Sequence, residues 1–261
     1  MAKTFENPLK TALKNGKKTL GAWLQLASPM TAEIMSRAGF DWLLVDMEHG
    51  AGDLSALFAQ LQAMNGTDTV PVVRAPWNDF VVLKRILDAG AYGVLIPYVN
   101  TKSQAEAAVA ACKYPPEGIR GIAGSTRATS YGLNTRGYLD RANDEILVIT
   151  QIETPEAISN LDEILEVPGL DGVFIGPMDL ATNMGHLGDP SHSEVQAAIA
   201  AVEAKVCASP KVLGTLTGTW EQAKKLYSRG YQLVTVMADG LALAGIAAEK
   251  VALFRKEFPE G

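Results

Sequence analysis

The sequence predicts an α/β protein folded as a single (β/α)8 barrel, the TIM-barrel architecture, on three observations. Short aliphatic and β-branched runs occur eight times, and each alternates with an amphipathic helical stretch. No composition break or linker divides the 261 residues. A closed barrel of this kind typically uses about 250 residues, so one copy fills the chain. Residues 1–261 are therefore expected to form one barrel domain, with an open doubly wound sheet as the structural alternative.

The strands are expected at Leu20–Leu26, Trp42–Asp46, Pro71–Arg74, Gly93–Pro97, Ile146–Ile152, Gly172–Gly176, Val212–Leu216 and Gln232–Met237. Most are almost continuously apolar, as parallel strands covered on both faces must be. Helical periodicity fills Thr31–Ala38, Leu54–Met64, Phe80–Ala89, Ser103–Cys112, Pro155–Leu165, Ser193–Ala208, Trp220–Ser228 and Leu241–Phe254. Thr154-Pro155-Glu156 reads as an N-cap followed by proline at the first helical position. Ala89-Gly90 and Arg229-Gly230 read as glycine stops. Between Tyr114 and Asp144 the rhythm fails, and a structureless connection that long is usually functional.

Composition excludes several classes. Hydrophobic residues make up 48% of the chain and the formal charge is −6, with no basic run beyond Lys17-Lys18 and Lys224-Lys225. Nucleic acid and anionic membrane are poor partners for such a surface. Two cysteines, Cys112 and Cys207, suit a reduced environment. The polar amino terminus and the lack of any apolar stretch near the ~20 residues of a membrane span lead to a cytoplasmic expectation.

In a barrel the chemistry gathers at the carboxyl ends of the strands. The second strand ends in Asp46-Met47-Glu48-His49, the third in Arg74, the fifth carries Gln151 and Glu153, and the sixth runs into Gly176-Pro177-Met178-Asp179. Period-two spacing puts Gln151 and Glu153 on one face of their strand. Each residue also has a plainer reading. Glu153 could cap the helix that follows and Asp179 the short turn Leu180–Met184, Arg74 could form a structural ion pair, and His49 could be a satisfied, partly buried imidazole. His186 and His192 look solvated, and Glu48 looks structural. Acids unaccompanied by cysteine or a histidine cluster make an all-oxygen site, suited to Mg²⁺ or Mn²⁺ with retained waters. No lysine falls inside a strand, which disfavours Schiff-base catalysis. No P-loop and no glycine fingerprint for a dinucleotide follows a strand.

These blocks resemble the class II, metal-dependent pyruvate aldolases of the 4-hydroxy-2-oxoheptanedioate aldolase (HpcH/HpaI) family. The likeness runs through Phe40–His49, Pro71–Arg74, Tyr114–Gly121, Gln151–Thr154 and Asp171–Leu180. It implies a carbon–carbon lyase that reversibly cleaves 4-hydroxy-2-oxoacids to pyruvate and an aldehyde, with Mg²⁺, Mn²⁺ or Co²⁺ as cofactor. Glu153 and Asp179 match the metal ligands, and His49 the general base with Asp46 as its dyad partner. Asp88 matches an acid that raises the basicity of that histidine. Arg74 matches the cation at the enolate oxygen, and Gln151 a substrate contact. Gly176, Met178 and Asp179 match the segment that binds substrate, Met178 through its backbone amide. Arg127 matches an arginine of the long connection only across a gap. The resemblance further implies a hexamer, a trimer of dimers, that exchange the Leu241–Phe254 helix. Barrel enzymes of the phosphoenolpyruvate mutase, methylisocitrate lyase or citrate lyase type, and a non-catalytic 2-oxoacid-binding barrel, are the alternatives. The acceptor aldehyde is not specified; its choice is expected to depend on the long connection, whose path to the mouth is left open, on Leu216 and on a neighbouring subunit.

Overall fold

A computed structural model describes residues 4–259. Eight parallel strands close into a barrel in sequential order, with β1 (Thr19–Leu24) pairing β8 (Leu233–Ala238). Between them lie β2 (Trp42–Asp46), β3 (Val70–Arg74), β4 (Gly93–Ile96), β5 (Leu147–Ile152), β6 (Gly172–Ile175) and β7 (Val212–Leu216). Every expected strand is present; β2 and β7 have the expected bounds, β3 to β6 shift by one residue at one end, and β1 and β8 shift by one or two residues at both ends.

Strand alternation sorts the apolar residues into two cores. Trp23, Trp42, Leu44, Val70, Val72, Leu95, Leu147, Ile149, Phe174, Val212 and Leu233 cluster inside the barrel. Leu24, Leu43, Val45, Val73, Val94, Val148, Ile152 and Val173 pack instead with the surrounding helices. Continuing the inward stripe by two residues reaches Asp46 from Leu44, Arg74 from Val72, and Gln151 then Glu153 from Ile149. The polar mouth is thus the top rung of the buried ladder. Trp42 fits inside because Gly21 faces it; a Cβ there would meet the indole ring.

The helices follow in chain order. The first, α1 (Pro8–Lys14), closes the amino-terminal end of the barrel: Leu9 and Leu13 join the inner cluster. Its buried Lys10 ammonium donates to Asp171 and the Ile146 carbonyl. Next come α2 (Pro29–Arg37), α3 (Leu54–Ala63), α4 (Phe80–Asp88) and α5 (Lys102–Cys112). Side-chain caps from Ser28, Asp53, Asp79 and Thr101 begin them, as the sequence grammar requires.

The long connection is not structureless. It holds a 3-10 turn at Arg127–Gly132 and then α6 (Thr135–Glu145). Arg120 is buried there over the Tyr114 and Tyr138 rings, and Arg127 donates to the Ala89 and Leu61 carbonyls and to Asn65. Those acceptors lie at the carboxyl ends of α3 and α4, remote from the mouth. Within one chain this segment therefore does not line the substrate opening.

After β5 the expected single helix is two short ones, α7 (Pro155–Ser159) and α8 (Leu161–Leu165), broken at Asn160. The remainder are α9 (Pro177–Asn183), α10 (Ser193–Cys207), α11 (Trp220–Ser228) and α12 (Asp239–Glu257). Among the nineteen residues of α12 only Asp239 is buried. Leu241, Leu243, Ile246, Val251, Leu253 and Phe254 all face solvent.

Candidate active site at the barrel mouth

Arg74 is the organising cation. Its partner in the β2–β3 register is Asp46, and the two side chains meet in a fork: Nε donates to Oδ1 at 2.9 Å and Nη2 to Oδ2 at 2.7 Å. The remaining nitrogen, Nη1, lies 2.8 Å from a Glu48 carboxylate oxygen. The guanidinium rests on the Trp23 ring, 4.4 Å from its centroid, and Trp23 in turn meets Phe174 edge-on at 6.2 Å. Arginine suits this place because its planar fork can hold two carboxylates and still lie flat on an aromatic face.

Burial tends to raise the Asp46 carboxyl, but the hydrogen bonds and charge of Arg74, with help from Gln25, hold it below the usual carboxylate range. Burial raises the Glu48 carboxyl, and the nearby charge of Arg74 opposes this only in part. Asp46 also accepts the backbone N–H of His49 at 3.2 Å. It is therefore bonded to the main chain of the histidine and to Arg74, so the expected Asp46–His49 side-chain dyad does not form in this structure. The His49 side chain is exposed at the opening.

Across the mouth, Glu153 is 1% exposed. Tyr98 donates its backbone N–H to Oε1 at 2.8 Å, and Gln151 donates its side-chain amide to Oε2. Burial pushes the Glu153 carboxyl up to about 7; the negative charges of Asp179 and Glu48 push the same way, against the Tyr98 N–H. Asp179 sits in the first turn of α9, where the leading N–H groups have no intrahelical partner. Asn183 fixes this turn to β5, donating to the carbonyls of both Glu153 and Asp179. Gly176 lets the chain pass: a Cβ there would come within 2.6 Å of Glu153 Oε2.

The donor set answers whether a metal fits. Two carboxylates converge without cysteine or imidazole between them, and one is forced into partial protonation by burial. The Gln151 carbonyl oxygen is buried beside them with no partner. A hard dication that keeps several waters suits such oxygens.

A family described as HpcH/HpaI aldolase/citrate lyase matches residues 19–244. The chain belongs to the HpcH/HpaI aldolase/citrate lyase family. It is an aldolase, hence a carbon–carbon lyase, of a metal-dependent family. A 4-hydroxy-2-oxo-heptane-1,7-dioate aldolase of Escherichia coli is 43% identical over 250 residues, 96% of this chain and 95% of the relative. One from Salmonella dublin is 44% identical over 253 residues, covering 97% and 96%. The crystal structure of an HpcH/HpaI aldolase/citrate lyase family protein from Burkholderia cenocepacia superposes with a TM-score of 0.91. It is 36% identical and covers 95% of this chain and 99% of that one.

Of the residues singled out in the sequence, the structure gathers Asp46, Arg74, Gln151, Glu153, Gly176, Met178 and Asp179 at the mouth, with His49 at its edge. It does not gather Asp88. That residue ends α4, which runs away from the mouth after β3, and its carboxylate pairs with Arg120 Nη2 at 2.8 Å. Reading the sequence missed Gln25, Glu48 as second clamp on Arg74, and the Tyr98 amide. Gln25 was discoverable, because Gly21, Trp23 and Gln25 continue one inward stripe. Nothing in the sequence marks Tyr98, which acts through its backbone at a φ of 52°.

Proposed function

We propose that this aldolase is a class II enzyme that cleaves 4-hydroxy-2-oxoacids to pyruvate and an aldehyde, with Glu153 and Asp179 as its metal ligands. The observation that carries the reading is the buried Glu153 carboxylate, raised to about 7 beside Asp179 and facing the clamped guanidinium of Arg74. Mg²⁺, Mn²⁺ or Co²⁺ is the expected ion, supplying a Lewis acid toward the carboxylate and keto oxygens of a 2-oxoacid. Glu153 and Asp179 would hold it, and Tyr98 and Gln151 orient the first of them.

Arg74 presents fixed positive charge to the keto oxygen as it takes up the electrons of the breaking C3–C4 bond, or, in the addition direction, as C3 of pyruvate loses a proton; Asp46, Glu48 and the Trp23 ring hold it in advance. The Met178 and Asp179 amides, in the first turn of α9, offer donors to the substrate carboxylate. Gln151 adds its buried amide as a further contact. In the cleavage direction His49, exposed at the rim, is placed to take the proton of the 4-hydroxyl group.

The same reading makes the enzyme a homo-oligomer, a trimer of dimers, in which α12 is exchanged. The exposed apolar side chains of α12, and Met30 and Ile34 on α2, supply surface for such contacts. Light scattering tests the assembly.

Assay of pyruvate release from 4-hydroxy-2-oxoacids tests the chemistry. EDTA should abolish it and Mg²⁺, Mn²⁺ or Co²⁺ restore it. Full activity after exhaustive chelation, or a borohydride-trapped pyruvate adduct, would refute the mechanism.

A further inference from the structure

Away from the mouth, among the described residues, one group of ligating side chains stands together: His186, His192 and Glu194. One ligand atom from each lies within 4.8 Å of the others. They belong to the connection between α9 and α10 and to the first turn of α10. The sequence reading leaves both histidines as solvated. The structure pairs them instead. Their rings stack with centroids 3.5 Å apart and planes 16° apart. His186 Nε2 lies 3.0 Å from Glu194 Oε2, and the Glu194 N–H donates to His192 Nδ1 at 3.3 Å. Gly185 and Gly188, both at positive φ, fold the connection tightly enough to bring the rings face to face.

We propose that His186, His192 and Glu194 form a second divalent-metal site, one that takes an imidazole-seeking d-block ion such as Zn²⁺ or Ni²⁺ in preference to Mg²⁺. Two imidazoles with one carboxylate make a three-ligand zinc set, with a fourth position left to water. Imidazole donors favour zinc, nickel and copper, whereas the carboxylates of the mouth favour hard ions. Spacing agrees with this. Ligands about 2.1 Å from a tetrahedral ion lie about 3.4 Å from one another. His186 Nε2 and Glu194 Oε2 already stand 3.0 Å apart, and the three ligand atoms lie within 4.8 Å of one another, so a shift of about an ångström brings the set to that separation.

Capture requires one adjustment. The lone pairs of stacked rings run nearly parallel, so the rings must splay about their side-chain torsions to converge on one ion. Both rings are half-buried on a surface connection, and Glu194 is exposed, which leaves room for the movement. The cap from Glu194 N–H to His192 is long for a hydrogen bond and is readily released. A plain helix cap explains His192, and a plain ion pair explains His186. Neither explains why the two rings stack on each other with a ligand nitrogen of each within 4.8 Å of one Glu194 carboxylate oxygen.

The site begins three residues beyond Asn183, whose amide ties α9 to the carbonyls of Glu153 and Asp179. An ion there fastens the α9–α10 connection to α10 and steadies the far end of the helix that carries Asp179. The proposal stands whether or not the mouth binds a metal.

Calorimetric titration of the chelator-stripped full chain tests it, in a Glu153→Gln/Asp179→Asn background that removes the mouth carboxylates. One equivalent of Zn²⁺ should bind and Mg²⁺ should not. Adding His186→Ala or His192→Asn should weaken Zn²⁺ binding at least tenfold. Asparagine at 192 preserves the helix cap, so a loss there reports a lost ligand and not a frayed helix. In wild-type protein the ring resonances of both histidines should shift together with Zn²⁺. Equal affinity with and without the two imidazoles, binding only at millimolar Zn²⁺, or unmoved ring signals would overturn the site.

Discussion

Replacing Glu153 with glutamine should raise the stability of the metal-free protein at pH 8 while it removes activity. The side chain is 1% exposed, and its carboxyl is pushed up to about 7 from an ordinary 4.5. One pKa unit corresponds to about 1.4 kcal/mol, so ionising this group in place costs the apo fold about 3 kcal/mol. The native chain keeps the proton up to about pH 7, whereas the unfolded chain releases it near 4.5. Across that window the unfolded state binds fewer protons, so the contribution of this group is present at low pH and is lost as pH rises. Glutamine carries no charge and is nearly the same shape. Its carbonyl can still accept from Tyr98, and the unpartnered Gln151 oxygen can turn to accept from its amide.

Urea unfolding in EDTA, at pH 5 and pH 8 and one protein concentration, measures the effect. The stability difference between Glu153→Gln and wild type should grow by about 2–3 kcal/mol in favour of the variant between those pH values. Saturating Mn²⁺ at pH 8 should reverse the order. A ligand at 1,000 times its dissociation constant adds about 4.1 kcal/mol, more than the cost of ionising Glu153, and the variant lacks the carboxylate that binds it. Parallel stability–pH curves for the two proteins would refute the assignment of Glu153 as the strained acid of the mouth.

Arg74→Ala should lower kcat about 10²–10³-fold and suppress exchange of the pyruvate methyl protons with D₂O. Exchange at the wild-type rate would remove Arg74 from enolate stabilisation. Arg74→Lys should restore little, since one ammonium cannot reproduce the fork to Asp46 together with the contact to Glu48. Asp46→Asn should lower kcat while leaving the acidic limb of the pH–kcat/KM profile in place, because Asp46 holds Arg74 and only the backbone of His49; a displaced limb would restore the dyad. Gly176→Ala should weaken Mn²⁺ binding at least tenfold without unfolding the barrel, since its Cβ would crowd Glu153 Oε2 at 2.6 Å. Unchanged metal affinity would show that the carboxylate moves freely aside.

The barrel was legible because its strands are buried on both sides and carry little but apolar residues, a signal that needs no context. Three helices escaped notice, α1, α6 and α9, and each is held by few side chains; α9 buries only Leu180 and Ala181. In α1 only Leu9, Lys10 and Leu13 are buried, although Asn7-Pro8 is a well-formed start signal. In α6 the sequence TRGYLDRANDE buries Tyr138, Ala142 and Glu145 at helical spacing, but a tyrosine, an alanine and a glutamate make too polar a stripe to read as an apolar face. Among the mouth residues, strand position sufficed for Arg74, Gln151 and Glu153. The partner of a charged group is a different matter. That Asp46 would turn to Arg74 and leave the His49 ring free depends on the parallel register between β2 and β3, which places residues 46 and 74 side by side.

The inward ladder has a consequence for how this enzyme can change. Asp46, Arg74, Gln151 and Glu153 stand directly above buried residues of the same stripes, so their positions are inherited from the closure of the barrel. Any substitution that loosens the interior also misplaces the reacting groups, and stability and chemistry must drift together. Trp77, Met178, Leu216 and Met237 stand at the exposed strand ends and loops of that same end of the barrel. Met178, Leu216 and Met237 belong to none of the packed stripes below, whereas Trp77 stacks on Tyr98, whose amide holds Glu153. The range of accepted aldehydes is thereby mechanically uncoupled from the carbon–carbon chemistry, and it can be reshaped at the rim while the foundation stays as it is.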